Sequence, residues 1–169
     1  MVNVAVLGYG TIGSGVVEVL QTNTEVIAQR AGEEIAVKYI LDLRDFPGDP
    51  NADKIVHDYD IIDKDEDVQV VVECMGGVEP AYTFVKRALL NGRSVATSNK
   101  ELVAKHGTEV LKIAKDNNVN YLFEASVGGG IPIIRPLYTS LAANELTDIY
   151  GILNGTTNYI LTQMIKEGE

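Results

Sequence analysis

Three glycines near the start of the chain have the spacing of a phosphate-binding turn. Gly8, Gly10 and Gly13 form a G-x-G-x-x-G pattern after strand-like residues 2–7 and before helix-like residues 15–20. In this context the glycines permit a tight turn, close approach of the backbone to a pyrophosphate, and close helix–strand packing. The pyrophosphate would lie on unpaired N–H groups at the positive end of the helix. The candidate cofactor-binding residues are Gly8, Gly10, Thr11, Ile12 and Gly13; the alternative is an ordinary glycine turn.

Charged residues follow the second strand-like segment, residues 35–43. Asp42, Arg44 and Asp45 stand there. At this position an acid binds the ribose 2′-hydroxyl of NAD, whereas an arginine pairs with the 2′-phosphate of NADP. Both types are present, so the residues alone leave the cofactor choice open. The alternative for Arg44 is a solvated loop charge.

Further candidates follow the later strand-like segments. Gly76 and Gly77 come after residues 67–73, where glycines let the backbone approach a cofactor's ribose or nicotinamide. Thr97, Ser98 and Lys100, which end and follow residues 94–97, are also candidate cofactor-binding residues, and Lys100 is a candidate catalytic residue as well. A lysine at the carboxyl end of a strand can hold a carbonyl or carboxylate, or relay a proton. The alternative for Lys100 is a surface lysine in the first turn of the next helix.

Two other features each allow a chemical and a structural interpretation. Cys74 could be a thioester-forming nucleophile, but a lone cysteine at a buried strand end is more often a small apolar filler, which we favour. The glycine-rich residues 124–132 offer carbonyl oxygens that suit a hard cation. The alternative for this segment is a flexible hinge between domains.

The predicted elements that position these residues alternate between strand and helix. Strands are predicted at residues 2–7, 35–43, 67–73, 94–97 and 119–123, and helices at 11–30, 79–92 and 102–117. Residues 44–57, rich in Asp, Pro and Gly, are predicted to be loop. This order predicts a Rossmann-type α/β fold over residues 1–131, with a doubly wound parallel sheet. Residues 132–169, with a strand at 146–153 and a helix at 156–166, are predicted to begin a second, α+β domain.

Composition narrows the classes of partner. The 169 residues carry 14 basic and 24 acidic side chains, a net charge of -10, which disfavours nucleic acid. No apolar run approaches the roughly 18–20 residues that cross a bilayer, and no basic segment of a signal peptide opens the chain. A single cysteine excludes an internal disulfide and suits a reducing compartment, so we expect a cytoplasmic protein without a membrane partner.

Six segments together resemble the homoserine dehydrogenase family, in the family's order and across almost the whole chain. They are residues 8–13, 43–45, 72–77, 97–101, 124–132 and 151–159, the last two being the most specific. The resemblance implies NAD(P)-dependent hydride transfer between L-homoserine and L-aspartate 4-semialdehyde, in the biosynthesis of threonine, methionine and isoleucine. The alternatives are another aldehyde-oxidising enzyme that uses Cys74, and a non-catalytic NAD(P)-sensing module.

The resemblance also implies roles for individual residues. Lys100 matches a catalytic lysine, and Arg44 matches the arginine that favours a 2′-phosphate, hence NADP. Asp42 is less usual beside that arginine, so the choice between NADP and NAD stays open. A structural monovalent cation such as Na⁺ would be held by four carbonyl oxygens, those of Glu124, Val127, Gly129 and Ile131.

The resemblance further implies that the family continues past residue 169. The later segments form the rest of a catalytic and dimerisation domain, which carries the acidic substrate-binding residues. We therefore expect a homodimer at full length, and no turnover of homoserine by the 169-residue chain alone.

Overall fold

A computed structural model describes residues 1–152 and 154–168. Within these residues, one sheet contains six parallel strands in the order β3-β2-β1-β4-β5-β6. The strands are β1 (Val2–Leu7), β2 (Ile35–Leu41), β3 (Ile55–Val56), β4 (Val68–Glu73), β5 (Ser94–Thr97) and β6 (Tyr121–Leu122). The order reverses between β1 and β4, which is where a crevice opens in sheets of this type.

Seven helices accompany the sheet in the described part of the chain. They are α1 (Thr11–Thr22), α2 (Thr24–Ala31), α3 (Tyr59–Asp63), α4 (Ala81–Leu90), α5 (Lys100–Asp116), α6 (Ile134–Ser140) and α7 (Gly155–Glu167). Of these, α1, α2, α4 and α5 pack against the strands of the sheet. Two short 3₁₀ turns lie at Ala52–Lys54 and Glu124–Ser126. None of the helices in the described residues combines the length and apolar composition that a membrane span requires.

The apolar run of β1 is explained by burial on both faces. Ala5 and Leu7 pack into a core with residues of α4 and α5, whereas Val4 and Val6 pack into a second core with Val17 of α1. A parallel strand covered on both sides needs apolar residues at every position rather than at alternate ones. The predicted doubly wound α/β fold is confirmed.

Three local predictions are wrong in detail. The helix predicted over residues 11–30 is two helices that meet at Asn23, where the Thr24 hydroxyl bonds to the Leu20 carbonyl and competes with the helix ladder. β2 ends at Leu41 rather than at residue 43, and Leu43 is 87% exposed. The predicted loop at 44–57 contains a 3₁₀ turn and the short strand β3.

The strand predicted at residues 146–153 is not formed over 146–152, and Leu153 lies outside the described residues. A strand is stable only when its backbone pairs with a neighbour, and no strand in the described residues pairs with this segment. The helix predicted at 156–166 is confirmed as α7, which begins where the Asn154 side chain accepts the Thr157 N–H.

Candidate functional site

The turn after β1 uses its three glycines in three ways. Gly8 has φ +94°, and a Cβ there would lie 3.1 Å from the Cys74 carbonyl oxygen. Gly13 lies in the first turn of α1, where a Cβ would lie 1.8 Å from the Gly8 carbonyl oxygen. Around Gly10, a Cβ would meet nothing within 4 Å. The first and last glycines therefore serve the fold, and Gly10 faces open space.

The start of α1 is free to bind an anion. Gly10 is its N-cap residue, and no side chain caps the helix. The N–H groups of the first turn have no partner within a helix, and they carry its positive dipole end. Thr11 and Ile12 are both exposed here. The turn thus offers backbone donors beside the unfilled space at Gly10, the arrangement that binds phosphate.

An Asp–Arg pair stands at the end of β2. The Asp42 carboxylate accepts the Tyr9 N–H at 2.9 Å, and it accepts the Nε and Nη2 of Arg44, each at 3.0 Å. Hydrogen bonds from the Arg44 guanidinium hold the pKa of Asp42 well below its usual range. Arg44 remains largely exposed and lies over the Phe46 ring. Asp42 is therefore ionised, and it holds Arg44 at the edge of the crevice.

His57 joins this group, and sequence reasoning missed it. It follows β3, with Nδ1 2.7 Å from the Asp42 carbonyl oxygen and Nε2 3.1 Å from the Asp45 carboxylate. The hydrogen bond to the Asp42 carbonyl raises the pKa of His57. The signal in the sequence was the β-branched pair Ile55–Val56, too short to be predicted as a strand.

A cleft of about 650 Å³ opens between the loops that follow β1, β2, β3 and β4. The register of the sheet explains its place, because Leu7 pairs with Leu41 on one side and with Glu73 on the other, so the strands end level. The lining brings together predicted site residues and His57: Gly8, Gly10, Asp42, Arg44, His57, Cys74 and Gly76.

The other half of the crevice is organised by a buried acid that the sequence analysis did not single out. Glu73 ends β4 and is fully buried. Its carboxylate accepts the Met75 N–H at 2.7 Å, the Thr97 hydroxyl, and the Asn99 amide at 3.4 Å. Its carbonyl accepts the Ser98 N–H. One residue thus ties together the turns that follow β4 and β5.

Asn99 completes this link and begins α5. Its amide group donates to the Gly77 carbonyl at 2.6 Å, and its Oδ1 caps the helix by accepting the Leu102 N–H. Lys100 comes next, as the exposed first residue of α5. The structure therefore places Gly77 and the segment from Thr97 to Lys100 side by side. Lys100 does not line the 650 Å³ cleft. Because α5 follows β5, Lys100 lies on the β4–β5 side of the crevice.

Cys74 has the properties of a filler rather than of a nucleophile. It is half-buried, and burial raises the pKa of its thiol to about 11, with a further contribution from the Glu73 charge. A thiolate is the reactive form, and it is scarce at neutral pH with such a pKa.

The glycine-rich segment after β6 leaves carbonyl oxygens available. The Glu124 carbonyl accepts the N–H groups of Val127 and Gly128. The carbonyl groups of Val127, Gly129 and Ile131 accept no hydrogen bond within the described residues. The Glu124 carboxylate caps α6 instead, by accepting three backbone N–H groups. Residues 1–152 and 154–168 contain no cluster of three or more His, Cys, Asp or Glu side chains that would hold a metal.

Comparison with known proteins decides the family. Residues 8–124 match the sequence profile of the homoserine dehydrogenase NAD binding domain, and residues 132–169 match that of homoserine dehydrogenase. The chain belongs to the homoserine dehydrogenase family. Homoserine dehydrogenase of Bacillus subtilis is 43% identical, over 98% of this chain and 39% of the relative. That of Neisseria gonorrhoeae is 41% identical, over 99% of this chain and 39% of the relative.

Solved structures of the family share this fold. A homoserine dehydrogenase from Thiobacillus denitrificans is 39% identical with a TM-score of 0.90, over 99% of this chain and 39% of that structure. A hyperthermophilic archaeal homoserine dehydrogenase mutant, in complex with NADPH, is 28% identical with a TM-score of 0.83, over 99% of this chain and 57% of that structure. The chain spans about two fifths of the length of the curated relatives it matches.

Proposed function

We propose that the chain is the NAD(P)-binding part of an enzyme that interconverts L-homoserine and L-aspartate 4-semialdehyde. The observation that carries the proposal is the uncapped start of α1 beside the open space at Gly10, in a chain whose residues 8–124 match the NAD binding domain of this family. The NADPH complex of the archaeal relative supports the same cofactor class.

The residues present fit a dinucleotide. The N–H groups at the start of α1 would hold the pyrophosphate, and the cleft beside Asp42 and Arg44 would hold the adenosine. The nicotinamide half would lie over the ends of β4 and β5, against the backbone of Gly76 and Gly77. When bound, the cofactor supplies or accepts the hydride.

Lys100 is the residue to which we assign chemistry on the substrate. An ammonium group at the start of α5 can hold the oxygen of the aldehyde or alcohol and move its proton. Thr97 and Ser98 would position the cofactor through their backbone, because the Thr97 hydroxyl is occupied by Glu73 and by the Asn99 N–H.

Gly10→Val is expected to abolish measurable binding of NAD and NADP without unfolding the protein. A branched side chain would occupy the place of the pyrophosphate, while nothing within 4 Å of the Cβ would clash with it. Nicotinamide fluorescence titration, with thermal unfolding alongside, checks both parts. Gly15→Val, at a second open position on the same helix, is the control and should bind normally. Normal titration by folded Gly10→Val would remove the phosphate site from this turn.

Arg44→Ala is expected to weaken the binding of NADPH by about 1–3 kcal/mol, the range for hydrogen bonds to charged groups. The binding of NADH should weaken much less. Arg44 reaches the crevice from its pair with Asp42, and its outer N–H groups can bind a 2′-phosphate. Calorimetric titration with both cofactors measures the difference. Equal losses would show that Arg44 does not contact the phosphate and would favour NAD, read by Asp42.

The proposal extends to a cation, to assembly and to location. We assign a monovalent cation such as Na⁺ to the carbonyl oxygens of Glu124, Val127, Gly129 and Ile131; the three without hydrogen bonds support this. We also propose a homodimer at full length, a cytoplasmic location and a preference for NADP over NAD.

The activity itself is tested by following NADP⁺ reduction with L-homoserine as the only other substrate. The full-length protein should reduce NADP⁺ in proportion to homoserine and run in reverse with the semialdehyde. The 169-residue chain should not, because the second wall of the substrate site is expected beyond it. If the full-length protein bound NADP⁺ but did not turn over homoserine, the proposed activity would be contradicted and a non-catalytic sensing module would be favoured.

A further inference from the structure

Glu73 is a buried acid for which the structure provides no countercharge. It is fully buried at the carboxyl end of β4, and no lysine, arginine or histidine among the described residues stabilises its negative charge. Buried carboxylates are costly, and proteins usually pair them with a cation. A ligand that binds near Glu73 would account for a buried carboxylate without a cationic partner.

The partners of Glu73 favour its ionised form. Thr97 Oγ1 accepts the Asn99 N–H at 2.9 Å, so its own proton is available to donate to Glu73. The Met75 N–H and the Asn99 amide are also donors. Three donors and no acceptor match a carboxylate, which only accepts. Burial raises the pKa of Glu73 above its usual value, and these donors offset part of that effect.

The surroundings disfavour a second negative charge. The Tyr121 hydroxyl is buried without a hydrogen-bond partner in the described residues, and burial and the Glu73 charge raise its pKa. Burial and the same charge raise the pKa of the Cys74 thiol. The carboxylate of Glu73, held by three donors and buried, thus gives the end of β4 a negative potential that no described lysine, arginine or histidine offsets, and this potential favours a ligand that brings positive charge.

We propose that Glu73 makes the site prefer the oxidised, positively charged nicotinamide over the neutral reduced ring. The inference rests on the proposed function, in which the adenosine half occupies the β1–β2 side. Because the strand order reverses between β1 and β4, the nicotinamide half then lies over β4 and β5, and β4 ends at Glu73. Because aldehyde reduction converts bound NADPH to NADP⁺, tighter binding of NADP⁺ shifts the equilibrium on the enzyme toward the alcohol.

Glu73 also joins two turns, so the test must separate charge from structure. Glu73→Gln keeps the shape, because its amide can accept the Met75 N–H and donate to the Thr97 hydroxyl. Glu73→Met is a second neutral variant of similar length; it leaves the donors of Met75, Thr97 and Asn99 without an acceptor, so thermal unfolding must first show that it folds. The matched control is Glu66→Gln, which removes an exposed charge just before the opposite end of β4.

The experiment is calorimetric titration of the full-length protein and its variants with NADP⁺ and with NADPH at fixed pH and ionic strength. For unit charges about 10 Å apart at an effective dielectric of about 20, Coulomb's law corresponds to about a tenfold change in affinity. The ratio of the NADP⁺ Kd to the NADPH Kd should rise about tenfold in Glu73→Gln and in whichever neutral variants fold. Glu66→Gln should leave it unchanged.

Two results would overturn the inference. If both cofactors bind more weakly by the same factor, Glu73 is a structural link alone. If neither affinity changes, the charge of Glu73 does not reach the ring. Failure of the wild-type protein to bind either cofactor would instead refute the proposed function.

Discussion

Gly13→Ala is expected to lower the free energy of unfolding by more than about 3 kcal/mol, above the usual 1–3 kcal/mol for overpacking. The added Cβ would lie 1.8 Å from the Gly8 carbonyl oxygen and 3.0 Å from its carbon. Both are backbone atoms, held by the Gly8 N–H bond to Leu41 and by the left-handed turn. Relief therefore requires α1 to move away from β1, which opens the core around Val6 and Val17.

Urea unfolding measures this loss, and Gly15→Ala provides the matched control. Gly15 lies two residues further along α1, where an added Cβ meets nothing within 4 Å. Alanine there should stabilise the protein by roughly 0.5–1 kcal/mol, because glycine is a poor helix former. A free energy of unfolding of Gly13→Ala within about 1 kcal/mol of the wild-type value, at or below the low end of the overpacking range, would mean that α1 does not pack against the turn in this way.

Lys100→Ala is expected to lower kcat by roughly 10²–10⁴-fold in the full-length enzyme, the range for loss of a general acid–base group. Affinity for NADPH should change little, because Lys100 does not line the adenosine cleft and the turn before it is held by Asn99 and Glu73. Steady-state kinetics and cofactor titration on one preparation separate the two effects.

Lys105→Ala is the control for Lys100→Ala. Lys105 lies further along α5, is exposed, and pairs with Glu101. Its loss should leave kcat unchanged, because surface pairs of this kind contribute little. A kcat for Lys100→Ala within a few-fold of wild type would remove Lys100 from the chemistry.

The parts of the fold that follow from local sequence were predictable. Residues 4–7 of β1 and 70–72 of β4 are apolar without interruption because both faces of these segments are covered, and the glycine spacing marked the turn after β1. The short strand β3 carries only two residues, below what a hydrophobic period can indicate. The segment at 146–152 has apolar residues, but a strand also needs a partner, and no sequence pattern supplies one.

The parts of the site that escaped prediction depend on contacts between distant residues. His57 joins the Asp42 carbonyl across 15 positions, and Glu73 joins Thr97 across 24. Glycines at 8, 10, 76 and 77 could be predicted as site residues because the freedom that a glycine gives the backbone is a local property. A buried acid at a strand end looks in sequence like any other charged residue. Its burial and its three donors exist only once β4 and β5 lie side by side.

A crystal structure of the full-length protein with NADP⁺ would test the proposed site most directly. We expect the pyrophosphate on the N–H groups at the start of α1, the adenosine between Arg44 and His57, and the nicotinamide over the ends of β4 and β5, near Lys100. A cofactor bound elsewhere, or bound in reverse with its adenosine over β5, would contradict the assignment of the crevice.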